Sequence, residues 1–101
     1  MVSSMSAITL NDGLVSIGGS AFSESHLTEI TIPSSVTTIG TRAFSYCNDL
    51  QAVRFDCINV PEYLSDYTFN NTPLSVIYVP SASLLAYQAA LPGHDSMIVG
   101  I

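Results

Sequence analysis

The chain contains no lysine, and Arg42 and Arg54 are its only strongly basic side chains. Set against eight aspartates and glutamates they leave a formal net charge of −6. Nucleic-acid binding requires a basic footprint that releases counterions, and this composition excludes one. The same scarcity of basic residues argues against anionic membrane surfaces as partners. Long apolar runs are also missing, so no segment is long enough to insert across a bilayer. No basic n-region followed by an apolar h-region opens the chain, so no signal peptide is visible. The opening "MVSSMSAITL" reads equally well as the edge of a longer protein, so that absence does not assign a compartment. Two cysteines, Cys47 and Cys57, are too few for a disulfide framework and lack metal-ligand spacing. Two buried thiols are the expectation, with a bridge between them as the alternative.

What is present is apolar. Hydrophobic residues make up 48% of 101 residues and charged residues 10%. That composition is opposite to disorder and suits one domain spanning residues 1–101. Serine and threonine supply much of the polar surface.

The chain repeats itself. "ITLNDGLVSIGGSAF" at 8–22 returns as "ITIPSSVTTIGTRAF" at 30–44. A frame of apolar-x-x-apolar-x-apolar occurs four times, at Met5/Ile8/Leu10, Leu27/Ile30/Ile32, Leu50/Val53/Phe55 and Leu74/Ile77/Val79. The step is 22 residues from Ile8 to Ile30, 23 to Val53 and 24 to Ile77. A period of this length signals stacked supersecondary units, each unable to bury its apolar flanks alone. In "ITL", "ITI", "VRF" and "IYV" two apolar residues flank an outward one, which predicts a short strand. Pro33 and Pro80 follow directly and should end their strands, because proline cannot donate to a ladder.

A second inward pair follows, Leu14 with Ile17 and Val36 with Ile39, then Gly18 and Gly40 at an expected corner. Ala21-Phe22, Ala43-Phe44 and Thr68-Phe69 complete the unit: a small residue for close approach and a ring to fill the space between units. Residues 56–68, "DCINVPEYLSDYT", break the pattern. There Val60-Pro61 and Tyr63-Leu64 are expected to supply the inward contacts. Beyond Pro80, "SASLLAYQAAL" changes to helical spacing at Leu84, Tyr87 and Leu91. Ser81 or Ser83 can cap its start, and Pro92-Gly93 ends it. "MIVGI" at 97–101 reads as a final strand or an extended lid. The front end shows no comparable cap, which suggests further repeats upstream and a bare edge at Met5–Leu10.

The segment "LTEITIPSSVTTIGTRAFSYCNDLQAVRF" (27–55) resembles the BspA-like class of leucine-rich repeats. Leu27, Ile30, Ile32, Pro33, Ser35, Val36, Ile39, Gly40, Ala43, Phe44, Cys47 and Leu50 follow that unit's order. The tail "FNNTPLSVIYVPSASLLAYQAA" (69–90) is similar to the family's closing module, although the tryptophan often found near "LPGHDS" is missing. In the first repeat Asn11 and Asp12 replace the proline and serine, and Ser25-His26 stand where the cysteine would fall. The resemblance implies a β-rich leucine-rich-repeat solenoid, right-handed, with a parallel sheet of about four strands on one face and a short C-terminal capping helix. Its repeats would span approximately 5–26, 27–49 and 50–73, with a cap over 74–101. It implies a secreted or cell-surface protein, adhesion to host or other macromolecules, and no catalytic residues or cofactor.

On that frame the outward residues Thr9, Thr31, Arg54 and Tyr78 form a ladder, flanked by Glu29 and Gln51. Arg54 and Tyr78 are the best candidates for a binding hot spot; the alternative is a solvated sheet face with favourable cross-strand pairs. His26 and His94 lack a companion motif and read as surface-loop residues rather than metal ligands. No paired carboxylates, serine elbow or calcium loop emerges. Asn70 opens an N-x-T sequon but reads first as a turn residue. The expected function is a non-enzymatic binding module with a protein or other macromolecular partner. The competing expectation is a structural spacer or self-association scaffold that stacks through its N-terminal edge.

Overall fold

A computed structural model describes residues 7–10 and 13–101. Among the described residues, seven strands and one α-helix occur in the order β1 (Ala7–Thr9), β2 (Ser16–Ile17), β3 (Glu29–Ile32), β4 (Thr38–Ile39), β5 (Ala52–Phe55), β6 (Val76–Val79), α1 (Leu84–Ala90) and β7 (Ile98–Gly100). Five strands form one sheet in the order β1-β3-β5-β6-β7, and every neighbouring pair is parallel. The register repeats the sequence frame: Ile8, Ile30, Val53, Ile77 and Ile98 are successive partners. The run at 97–101 therefore contributes a fifth strand, one more than the four the repeats suggested.

Two further hydrogen-bonded ladders link the repeats. β2 and β4 pair in parallel, and Glu62 continues that ladder by bridging Thr38. The Ile39 amide donates to Glu62 at 3.0 Å and the Glu62 amide to Thr37 at 2.8 Å. The turns around the phenylalanines form the third ladder. Phe22 and Glu24 donate to Ala43 and Ser45, and Phe44 and Tyr46 donate to Thr68 and Asn70. Backbone groups that a loop would give to water are satisfied by the next repeat instead. Hydroxyls reinforce this. Ser35 donates to the Leu14 carbonyl at 2.6 Å, Ser23 to that of Ser45 at 3.2 Å and Ser75 to that of Gln51 at 3.2 Å. Part of the serine and threonine content thus joins repeats rather than merely wetting them.

Alternation places Ile30, Ile32, Val53, Phe55, Ile77 and Val79 in the core. Ile17 and Ile39 enter from the second sheet, and Val36 from the turn ahead of β4. Phe22, Phe44 and Phe69 stack with ring centroids 5.2 and 5.6 Å apart, and Phe69 meets Phe55 edge-on. Phe55 then contacts Tyr87 of α1 at 5.0 Å. Such pairs add to area burial, so this spine is a continuous source of cohesion.

The turns carry their own signature. Ser20 and Arg42 lie two residues before a phenylalanine of the stack; Glu24, Tyr46 and Asn71 lie two after one. All five have φ between 58° and 63°. Only Asn71 is of a type that accepts this region readily. Gly40 has a different reason to be glycine. A Cβ there would lie 2.2 Å from the Gly19 nitrogen, whereas one at Gly18 meets nothing within 4 Å among the described residues. Close approach of the preceding repeat, not corner geometry, demands Gly40.

The break at 56–68 is less complete than it reads. Pro61 and Leu64 are buried and Val60 packs on the core, but Tyr63 turns outward and is 67% exposed, so it supplies no inward contact. It takes φ 69° immediately after the bridge at Glu62, which swings its side chain away from the stack. A 3-10 turn, Asp66–Phe69, then restores the register at Phe69. In α1, Tyr87 is fully buried and Leu91 lies buried just beyond its end. Ser83 occupies the cap position without capping; its hydroxyl donates to the Ile58 carbonyl instead. Met5, Asn11 and Asp12 lie outside the described residues.

Candidate binding face

The sheet aligns its outward positions into one row. Thr9 pairs with Thr31, Thr31 with Arg54, Arg54 with Tyr78, and Tyr78 with Val99. The backbone of Thr9 is in register, and its side chain lies outside the described set. Thr31 is half-buried; Arg54, Tyr78 and Val99 are exposed. Parallel pairing at equal register brings these residues together, because every repeat presents its outward residue at the same level. Val99 was absent from the expected row, since "MIVGI" carries no repeat signature beyond its three β-branched residues.

The flanking residues divide. Glu29 is exposed at the head of β3 and pairs with Ala52. Gln51 is exposed just ahead of β5, outside the strand. Its carbonyl accepts the Ser75 amide at 2.9 Å and the Ser75 hydroxyl, and its own amide donates to Thr28. Gln51 therefore has a clear backbone role in addition to its place beside the row.

Arg54 Nε donates to the Asp56 carboxylate at 2.9 Å, and both side chains are largely exposed. An ion pair this open contributes little stability. It does orient the guanidinium through its Nε edge. Beside it Arg54, Phe55, Asp56, Pro80 and Ile101 line a shallow hollow of about 420 Å³. The lower end of the row therefore combines one cation, one phenol and the apolar surfaces of Val99, Pro80 and Ile101. The upper end is threonine.

Elsewhere the titratable groups serve structure. Cys47 and Cys57 are free and buried. The Cys47 thiol donates to the Phe22 carbonyl at 3.0 Å and that of Cys57 to Pro33 at 3.1 Å. Burial pushes the Cys57 thiol above its ordinary range, which disfavours the thiolate form. Burial likewise raises the Tyr87 phenol, whose hydroxyl donates to the Cys57 carbonyl at 2.7 Å. His26 is exposed beside Asp49 at 3.3 Å, as a surface histidine. His94 is not the loop residue expected. It is only 17% exposed, bonds Asp66 at 2.7 Å and stands edge-on to Phe69. Its burial was illegible in "LPGHDS" because both partners lie more than twenty residues upstream. Among the described residues no group of three or more His, Cys, Asp or Glu is arranged to hold a metal. No helix among them is long and apolar enough to cross a membrane.

The model of the BspA type leucine-rich repeat region (6 copies) matches residues 1–91. No curated protein matches the chain at a significant level.

Proposed function

The chain belongs to the BspA type leucine-rich repeat family, and from that premise we propose that it is a non-enzymatic binding module of a secreted or cell-surface protein. In this reading residues 1–101 act as one domain, a right-handed solenoid of three repeats closed by a C-terminal cap. Right-handed connection between parallel strands is the general rule. The outward sheet face engages a protein or other macromolecule, a host surface component being the partner class the family resemblance suggests.

One observation carries the reading: Arg54 and Tyr78 stand in register on adjacent strands, exposed, with Val99 completing the row. Arginine and tyrosine dominate binding energy where a rigid scaffold presents them together. Backbone bonded from repeat to repeat loses little further entropy on association. The test is binding of the chain, and of Arg54→Ala and Tyr78→Ala, to immobilised host matrix proteins. A drop of about tenfold or more per substitution is expected for hot-spot residues. Unchanged affinity for a matrix protein that the parent chain binds would end this assignment of the face.

A second reading, self-association or spacing through the N-terminal edge, has its own observation. Phe22, Leu14 and Leu10 are only partly buried, while Phe44, Val36 and Ile32 at equivalent positions are fully covered. Solution mass measured against concentration separates the readings: oligomers that form without any partner favour the second.

A further inference from the structure

We propose that Asp66 is the catch of a C-terminal strap, residues 92–101, and that through it a position outside the sheet controls the lower end of the binding face. Oδ1 of Asp66 accepts from His94 Nδ1 at 2.7 Å, which requires the Nδ1-protonated imidazole, and Oδ2 accepts the Gly93 amide at 2.9 Å. Both carboxylate oxygens are committed to two consecutive residues of the strap. Gly93 is shaped for this contact, since a Cβ would lie 2.9 Å from Asp66 Oδ2. From His94 the chain runs through a 3-10 turn ending at Met97 directly into β7.

β7 is held by its ladder to β6 and by contact with α1, with Met97 packed on the core just ahead of it, but the strand itself buries little. Of its three residues only Ile98 is buried, whereas β5 and β6 each bury two. Its end is fixed by the Ile101 amide donating to Val79 at 2.9 Å and the Ser81 amide donating to Ile101 at 3.2 Å. Segments with few buried apolar contacts open first in a folded protein. The strap supplies Val99 beside Tyr78 and Ile101 beside Arg54. Its release removes Val99 and Ile101 from that end while leaving Arg54, Tyr78 and Pro80 in place. Asp66 is thus a positioning residue, touching no ligand. The control it exerts rests on the reading of that face as a binding surface; the strap itself does not.

Amide hydrogen exchange on the full chain tests the catch with no ligand present, so its failure and the failure of the binding reading are separate results. For Asp66→Ala, exchange at Gly93, Ile98 and Ile101 is expected to accelerate by about tenfold or more, with Ile39 and Asp56 unchanged. His94→Ala keeps the Gly93 bond and should give a smaller acceleration confined to the same residues. It also keeps the proposal testable if the first variant does not fold. No acceleration in the strap overturns the proposal, and so does equal acceleration across the whole chain, which would make strap and repeats one cooperative unit.

Discussion

Residues 27–50 and residues 56–101 solve the same problem by different means. In the first region each repeat is held by its likeness to the next: isoleucine on isoleucine, phenylalanine on phenylalanine, hydroxyl on the neighbouring carbonyl. In the second, likeness stops and individual fastenings replace it. Four polar bonds tie the cap to the irregular third repeat: Ser83 to Ile58, Tyr87 to Cys57, Gly93 to Asp66 and His94 to Asp66. All four land within 57–66, the stretch where the repeat pattern fails. The break in the pattern is where the closing element docks, and a docking site for a helix cannot also be a copy of the neighbouring repeat.

That contrast predicts different failures. In the regular region, Phe44→Ala removes the middle ring of the stack and should cost about 3–5 kcal/mol, measured by urea unfolding. Phe22→Ala, at a half-buried end of the stack, should cost clearly less. Equal costs would show that stacking position does not govern cohesion here. Gly40→Ala forces a methyl group onto the Gly18–Gly19 backbone and should cost about 1–3 kcal/mol or more. Gly18→Ala, with open space around it, should lie within about 0.5 kcal/mol of the parent. The two glycines occupy the same place in their repeats, so the pair separates packing demand from repeat identity.

In the docking region the fastening is single and polar. Tyr87→Phe leaves the buried Cys57 carbonyl without its donor and should cost about 1–3 kcal/mol. The same site sets an alkaline limit. Cys57 and Tyr87 ionise from ordinary values of 9.0 and 10.0 when unfolded, and burial raises both in the folded chain. The folded state then holds protons that the unfolded state has lost, so their contribution is complete below about pH 9 and declines as pH rises beyond it. Urea midpoints measured from pH 7 to 11 should fall above pH 9, and Tyr87→Phe should flatten the part of that fall above pH 10.

How much of this the sequence carried depends on distance along the chain. The frame at Ile8, Ile30, Val53 and Ile77, the strand-ending prolines, the buried Phe44 and the inward Tyr87 were legible because each follows from a period or a neighbour. Thr31, Arg54 and Tyr78 were legible as a row for the same reason. Hidden were contacts joining unlike segments: His94 with Asp66, Ser83 with Ile58, and the bridge at Glu62 that continues the second ladder. Tyr63 was misread because residue 62 carries the bridge and the chain then turns left-handed, a geometry that no tyrosine advertises. Val99 entered the row only through pairing with β6.

The smallest expected effect probes the turns, which both regions share. Tyr46 and Asn71 hold equivalent places after the stacked rings, with φ of 58° and 59°. A left-handed conformation costs an ordinary residue about 1–2 kcal/mol and costs asparagine less. The third repeat meets that demand with its own residue type, whereas the second meets it with a tyrosine that is exposed and gains little by packing. Its amide donates to Asn70 at 2.8 Å whatever the side chain. Tyr46→Asn should therefore stabilise the chain by up to about 1 kcal/mol, raising the urea midpoint with no change in slope, and Asn71→Tyr should lower it by a similar amount. A loss in the first variant would mean that the Tyr46 ring rests on the fold after all, and that the turns, like the cap, depend on individual contacts rather than on the repeat.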